Sequence, residues 1–203
     1  MELRRFSPKL LPYYNNDFKD YEAFMQLNLV ETTKKIVWSK QLFSILLGSF
    51  IMAIFANISI KLPFTPVPIV CQNFIAILLG IILGPKKGAL SVMAYLAQGM
   101  IGLPVFANMA SGALVLIGPT GGYLIGYVIS AFVAGYLYRE SKQFSLILAM
   151  TTAVFCQYAL GLIQLSFFVG VGSVLTLGFF PFIIGDLLKM AIAYQLLKTV
   201  KKI

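Results

Sequence analysis

Two residues of this chain combine the right types and spacing for chemistry inside an apolar sequence: Asp186 and Lys189, in PFIIGDLLKMAIA. Three positions apart, they share one face of any helix that carries them. Every other charge falls at the edge of an apolar segment or in a terminal stretch. A charged side chain near a membrane-helix centre costs about 2.5–3.5 kcal/mol on insertion scales, so an intramembrane pair marks a functional site by default. The plainer alternative is a mutually neutralised pair that only locks its helix to its neighbours. A carboxylate can accept hydrogen bonds from ligand N–H groups, and an ammonium can donate to a carbonyl or a carboxylate.

Other chemistries drop out. The chain has no histidine, and Cys71 and Cys156 lie far apart within apolar segments. Zinc sites and imidazole acid–base catalysis are therefore excluded, and each cysteine reads as a small buried hydrophobe. No G-x-x-x-x-G-K-[ST] run is present, so the chain carries no phosphate-cradling loop and implies no cofactor. Without a nucleophile–base pair or a metal-ligand set, an enzyme is disfavoured. Any uphill movement must draw its energy from elsewhere.

The elements that position the pair are membrane helices. Of 203 residues, 59% are hydrophobic and 11% charged, and the mean hydropathy is +0.88. That places the chain among all-α integral membrane proteins. Six apolar segments are expected, over residues 38–60, 69–83, 89–100, 123–138, 144–169 and 177–197. The second and third are short enough to be tilted or to span only part of the bilayer. A net charge of +9 would suggest nucleic acid in a soluble protein; here the basic residues sit between spans and report topology instead. Lys34, Lys35, Lys40, Lys86, Lys87, Arg139, Lys142, Lys198, Lys201 and Lys202 fall on one side, and Lys61 on the other. The positive-inside rule then puts both termini in the cytoplasm of a multi-pass cell-membrane protein that binds no nucleic acid.

With that orientation, three connections gather on the outer face: KLPFTPVP, the stretch 99–126 and the turn 170–178. Residues 99–126 hold two prolines and seven glycines. No single helix accommodates them, so the stretch reads as a loop folded back over the helices, a lid or a pocket wall. Gln72, Asn73, Tyr95 and Gln98 should face the protein interior, since lipid leaves polar groups unsatisfied; Gln157, Tyr158 and Gln164 lie within the fifth segment. Ser49 and Ala53 form a small-xxx-small strip that admits a neighbouring helix, from this chain or a partner. Residues 1–36 read as a cytoplasmic extension, either a surface helix or a loose tail, before a transmembrane domain of residues 37–203. Met25 leaves an internal start open.

Four motifs in collinear order, KLPFTPVPIVCQ, LLGIILGPKKGALSVMAYLAQGMIGLPVFA, GPTGGYLIGY and PFIIGDLLKMAIA, resemble the BioY family over about residues 42–197. These are biotin-specific substrate-capture (S) components of energy-coupling-factor (ECF) transporters. The resemblance implies a six-helix S-component bundle and an outward biotin site. It also implies uptake driven by a transmembrane coupling subunit with two cytoplasmic ATPases, in a setting of membrane lipids. By the same resemblance Asp186 and Lys189 match the last-helix polar positions, Gly121, Gly122 and Tyr123 the loop that closes over ligand, and Gln72 the second-helix glutamine. Asn108 opens the 108–111 segment of that loop, less glycine-rich here than is common in the family, and joins the substrate-binding candidates. Tyr95, Tyr123 and Phe106 are candidates to pack on the apolar part of biotin. The competing expectation is a self-sufficient proton-coupled carrier with Asp186 as the proton site.

Overall fold

The computed structural model describes residues 38–138 and 143–201. The readings placed on residues 1–36 and on Arg139 and Lys142 lie outside them. The chain divides into two units between Leu42 and Phe43, and the helix bundle belongs to the second.

Helix α1, Trp38–Asn57, ends in a short strand β1, Ser59–Ile60, which pairs antiparallel with β2, Ile69–Val70. The register is Ser59 opposite Val70 and Ile60 opposite Ile69. Prolines 63, 66 and 68 between the strands lack backbone N–H groups, so the ladder stops after two pairs and the rest is an irregular strap. The extended character of this stretch follows from its prolines; the pairing does not.

Helix α2, Gln72–Leu83, and α3, Pro85–Met100, are separated by one residue. Gly84, at φ +85°, occupies the left-handed region and turns the chain, while Pro85 starts α3 without needing an N–H. Lys86 and Lys87, expected in a connecting loop, therefore sit in the first turn of α3, and the third span begins at residue 85 instead of 89. At about 18 Å and 24 Å, α2 and α3 are shorter than a bilayer core of ~30 Å.

The stretch 99–126 is more ordered than a loop. It holds a bridge between Phe106 and Ala110 around a 3-10 turn, Ala107–Met109, then a one-turn helix α4, Leu114–Ile117. Helix α5, Gly121–Leu137, takes over its last residues. After α6, Gln143–Val169, a second one-turn helix α7, Val174–Gly178, leads into α8, Phe180–Lys201.

Six helices, α1, α2, α3, α5, α6 and α8, thus make an all-α bundle in the described residues, with α5 packed on α6, α2 and α3. Among the described residues, three apolar stretches have the length to cross a membrane: Trp38–Asn57, Gln143–Val169 and Val174–Thr199. The outside of the bundle is apolar. Phe167 and Ile184 are each 82% exposed and Phe155 72%, an outward hydrophobic surface that lipid satisfies and water does not.

Two buried clusters run through the second unit. One, around Met52, Ile75, Val92, Tyr95, Phe106, Tyr127 and Phe182, lies toward the starts of α2, α5 and α8. The other, Ile77, Ile81, Ala134, Leu146, Met150, Ala193 and Leu197, closes the opposite end. Backbones meet closely where α2, α3 and α5 converge. A Cβ on Gly88 would lie 2.6 Å from Gly80 Cα, and one on Gly135 the same distance from Pro85 N.

The small strip on α1 is turned inward. Ser49 and Ala56 are fully buried and Ala53 nearly so; Ser49 Oγ donates to the Leu46 carbonyl and accepts from Gln98 Nε2 at 3.0 Å. The close neighbour of this strip is therefore the chain's own α3.

Candidate functional site

Helix α8 shows how the charged pair is held. Phe182, Asp186, Ala193 and Leu197 are buried at helical spacing, while Ile184, Leu187 and Leu188 face outward. Asp186 lies six residues after the start of α8, in the half of the bundle where α2 and α5 also begin.

Among the described residues its carboxylate has three donors. Lys189 Nζ lies 2.9 Å and Asn73 Nδ2 3.1 Å from Oδ1, and the Tyr158 hydroxyl donates to Oδ2 at 2.6 Å. A carboxylate offers about four acceptor positions, so one remains open. Lys189 also donates to the Val70 carbonyl at 2.7 Å, tying α8 to β2 at the end of the strap, and its third N–H has no partner among the described residues. The ion pair is nearly enclosed, with the two side chains 16% and 10% exposed.

Around the pair stands a polar and aromatic wall. Gln157 Nε2 donates to the Asn73 carbonyl and to Ser130 Oγ, each at 3.0 Å, pinning α2 to α5 and α6. Tyr158 meets Tyr123 and Phe179 edge-on at 6.1 and 4.9 Å, and the Tyr123 hydroxyl donates to the Gly178 carbonyl at 2.9 Å. The strap is anchored through Thr65, whose hydroxyl donates to the Leu177 carbonyl at 2.7 Å.

Two neighbouring cavities open here. The smaller, about 30 Å³, is lined by Asn73, Gln157, Tyr158, Phe182, Asp186 and Lys189. The larger, about 160 Å³, is lined by Gln72, Phe106, Asn108, Ala110, Val115 and Thr120, among others. Val67, Pro68, Val70, Tyr123 and Tyr127 line both and form the wall between them.

Of the residues singled out in the sequence, Asp186, Lys189 and Tyr123 meet at the smaller cavity, and Tyr123, Gln72, Phe106 and Asn108 at the larger. Asn108 takes a left-handed backbone, φ +59°, in the 3-10 turn, a conformation asparagine tolerates well. Its neighbour Met109 donates its N–H to Asn57 Oδ1 at 2.9 Å, fastening the turn to the end of α1.

Three candidates lie elsewhere. Tyr95 lines neither cavity; fully buried, it donates to Gln72 Oε1 at 2.8 Å and packs edge-on against Phe106 at 5.5 Å, so it supports two residues that do. Gly121 and Gly122 are in the first turn of α5, not in a loop, and lie outside both cavities. A side chain on Gly121 would run into the Leu116 carbonyl, and one on Gly122 into the Leu160 carbonyl. These two glycines let α5 approach α4 and α6. Gln164 completes that junction with hydrogen bonds of 2.8 and 2.7 Å to the carbonyls of Leu116 and Gly118.

Comparison with known proteins agrees with this architecture. The BioY family profile matches residues 25–203. The chain belongs to the BioY family. The biotin transporter BioY of Thermotoga maritima is 40% identical over 158 residues, 77% of this chain and 94% of that protein. The probable biotin transporter BioY of Pyrococcus horikoshii is 35% identical over 148 residues, 73% of this chain and 89% of the relative. Among solved structures, the S-component for biotin from an ECF-type ABC transporter superposes with a TM-score of 0.69 at 30% identity. The alignment covers 81% of this chain and 92% of that one. The chain is accordingly a multi-pass membrane protein of a transporter family and not an enzyme.

The sequence sends Asn73 to the interior of this BioY-family bundle and places Gln157 and Tyr158 within the fifth segment, but makes none of the three a candidate for the site. Their signal is the polar group itself within an apolar run, which must find a partner in the protein interior. Tyr127 and Phe182 gave no such signal, because an aromatic residue in a membrane helix is ordinary.

Proposed function

We propose that this chain captures biotin from the outer side of the cell membrane as the S component of an ECF-type transporter, energised by a separate transmembrane coupling subunit and two ATPases. The observation that carries the reading is the enclosed Asp186–Lys189 pair, which keeps one acceptor position and one N–H in reserve beside tyrosine-lined cavities. Biotin offers two ring N–H donors and a carbonyl in its ureido ring, an apolar thioether ring and chain, and a terminal carboxylate. Asp186 suits a ring N–H; Lys189 suits a carbonyl or the carboxylate. Tyr123, Tyr127 and Phe106 suit the apolar part, and Gln72 and Asn108 supply polar groups in the larger cavity.

Each cavity alone is smaller than the ~300–1,000 Å³ usual for a small-molecule site. Occupancy must therefore merge them, and Val67 and Pro68 of the strap, Val70 of β2, Tyr123 and Tyr127 are the wall that moves. Likeness to biotin transporters and to a biotin S-component supports biotin as the substrate and the S-component role. The absence of a phosphate-binding loop in the sequence supports dependence on external ATPases.

The test is reconstitution in liposomes. The purified chain alone should bind biotin tightly and not concentrate it, whatever proton gradient is imposed; accumulation driven by that gradient without ATP would make the chain a self-sufficient carrier and overturn the S-component assignment.

A further inference from the structure

Asn73 carries a feature that the charged pair does not account for. Its side-chain Nδ2 donates to Asp186 Oδ1 at 3.1 Å, while its Oδ1 is buried with no hydrogen-bond partner among the described residues. A buried acceptor left unpaired is unfavourable and rare in folded proteins. Rotating the amide by half a turn would not cure it. That would set a carbonyl oxygen against the Asp186 carboxylate, two acceptors with no proton between them. The hydrogen-bond pattern therefore fixes the orientation, donor toward Asp186 and acceptor left over.

The residue is also held in place. Gln157 Nε2 grips its backbone carbonyl at 3.0 Å and is itself bonded to Ser130, and Asn73 lines the same small cavity as Asp186 and Lys189. A rigidly oriented, unpaired acceptor beside a carboxylate with one acceptor position open and an ammonium with one N–H in reserve is complementary to a group bearing two donors and one acceptor. A cyclic urea has that set.

We infer that Asn73 is a substrate-reading residue, whose side-chain carbonyl accepts one of the two ring N–H groups of the bound cyclic urea and selects for a donor at that position. This rests on the biotin reading above. Asp186 takes the other N–H, and the urea carbonyl faces Lys189. The unpaired acceptor is then satisfied only in the occupied site, so a ligand lacking the donor leaves it buried and unpaired, which makes discrimination strong.

Calorimetric titration of the full chain tests this with biotin and its two derivatives methylated on one or the other ureido nitrogen, on wild type and Asn73→Ala. In wild type, one derivative should bind at least tenfold more weakly than biotin. In Asn73→Ala, biotin should weaken at least tenfold, and the penalty for that derivative should shrink below threefold, because the acceptor is gone and the alanine leaves room for the methyl group. Losing the donor to Asp186 affects all three ligands alike and cancels in this comparison. A uniform drop for all three ligands would reduce Asn73 to a positioning residue for Asp186 and overturn the inference. Equal wild-type affinity for biotin and both derivatives would overturn it without any variant; if Asn73→Ala does not yield monodisperse protein, Asn73→Val, which also removes the acceptor, replaces it. Wild type that binds no biotin would instead bring down the functional reading itself.

Discussion

Asp186 and Lys189 are bonded to each other and also to Asn73, Tyr158 and the Val70 carbonyl, and this decides how they respond to substitution. Asp186→Asn exchanges a charged acceptor for an amide and sets an extra donor among Lys189, Asn73 and Tyr158. Hydrogen bonds to charged groups are worth roughly 1.5–3 kcal/mol, so biotin affinity should fall at least about tenfold by calorimetry. Lys189→Met leaves the carboxylate with its Asn73 and Tyr158 donors, which should hold the stability loss below the ~3–5 kcal/mol typical of a broken buried pair. The double variant should recover most of the thermal stability lost in Lys189→Met, because both charges leave together, and should still bind weakly. Near-native affinity in the double variant would make the pair a structural lock and move recognition to the larger cavity.

At the scale of elements, the decisive contacts are backbone approaches and carbonyl latches. The first turn of α5 lies so close to α6 that Gly122 has no room for a side chain. Gly122→Val should push α5 away from Leu160 and carry Tyr123 with it, an overpacking effect of about 1–3 kcal/mol. Affinity and melting temperature should then fall together. Slower binding kinetics at an unchanged melting temperature would show instead that this turn acts as a lid. The strap gives a contrasting case: Thr65→Val removes its hydrogen bond to the Leu177 carbonyl at a point away from the ion pair. A neutral hydrogen bond contributes about 0.5–1.5 kcal/mol, so biotin association and dissociation should both speed up several-fold in stopped-flow measurements. Unchanged rates would mean the strap does not gate entry.

For the whole molecule, the prediction from six helices and the distribution of lysine and arginine is that both termini lie on the cytoplasmic side and the proposed site on the outer side. Single cysteines introduced at Ser111 and Ser141, in a background with Cys71 and Cys156 replaced, test that arrangement with a membrane-impermeant thiol reagent. Only the Ser111 position should react in intact cells, and equal labelling would invert or break the topology. The burial of Ser49 and Ala53 within this chain means that this pair is not where a coupling subunit of the proposed transporter would meet α1. The outward residues of α1, such as Phe43, Leu47, Phe50 and Ile54, remain available to lipid or to a partner.

Membrane residence, the helical class and the pairing of Asp186 with Lys189 are written in the sequence, because each follows from a local cost. Long apolar runs are unfavourable in water, prolines cannot continue a helix, and a charge within an apolar segment must be compensated. Gln72, Asn73, Gln157 and Tyr158 could be sent to the interior on the same ground. Tertiary structure alone decided which of them meet. Asn73 from α2, Tyr158 from α6 and Asp186 from α8 converge only through helix packing, across separations of 113 and 28 residues that no local pattern encodes. The same holds for Gly121 and Gly122, where composition suggested a loop folded back over the helices and packing made them the seam of α5 with α4 and α6, and for Tyr95, whose place behind Gln72 and Phe106 depends on how α3 faces α2. Lipid solvates apolar side chains and protein chain segments without preference, so which polar groups pair is settled by geometry, after the helices have assembled.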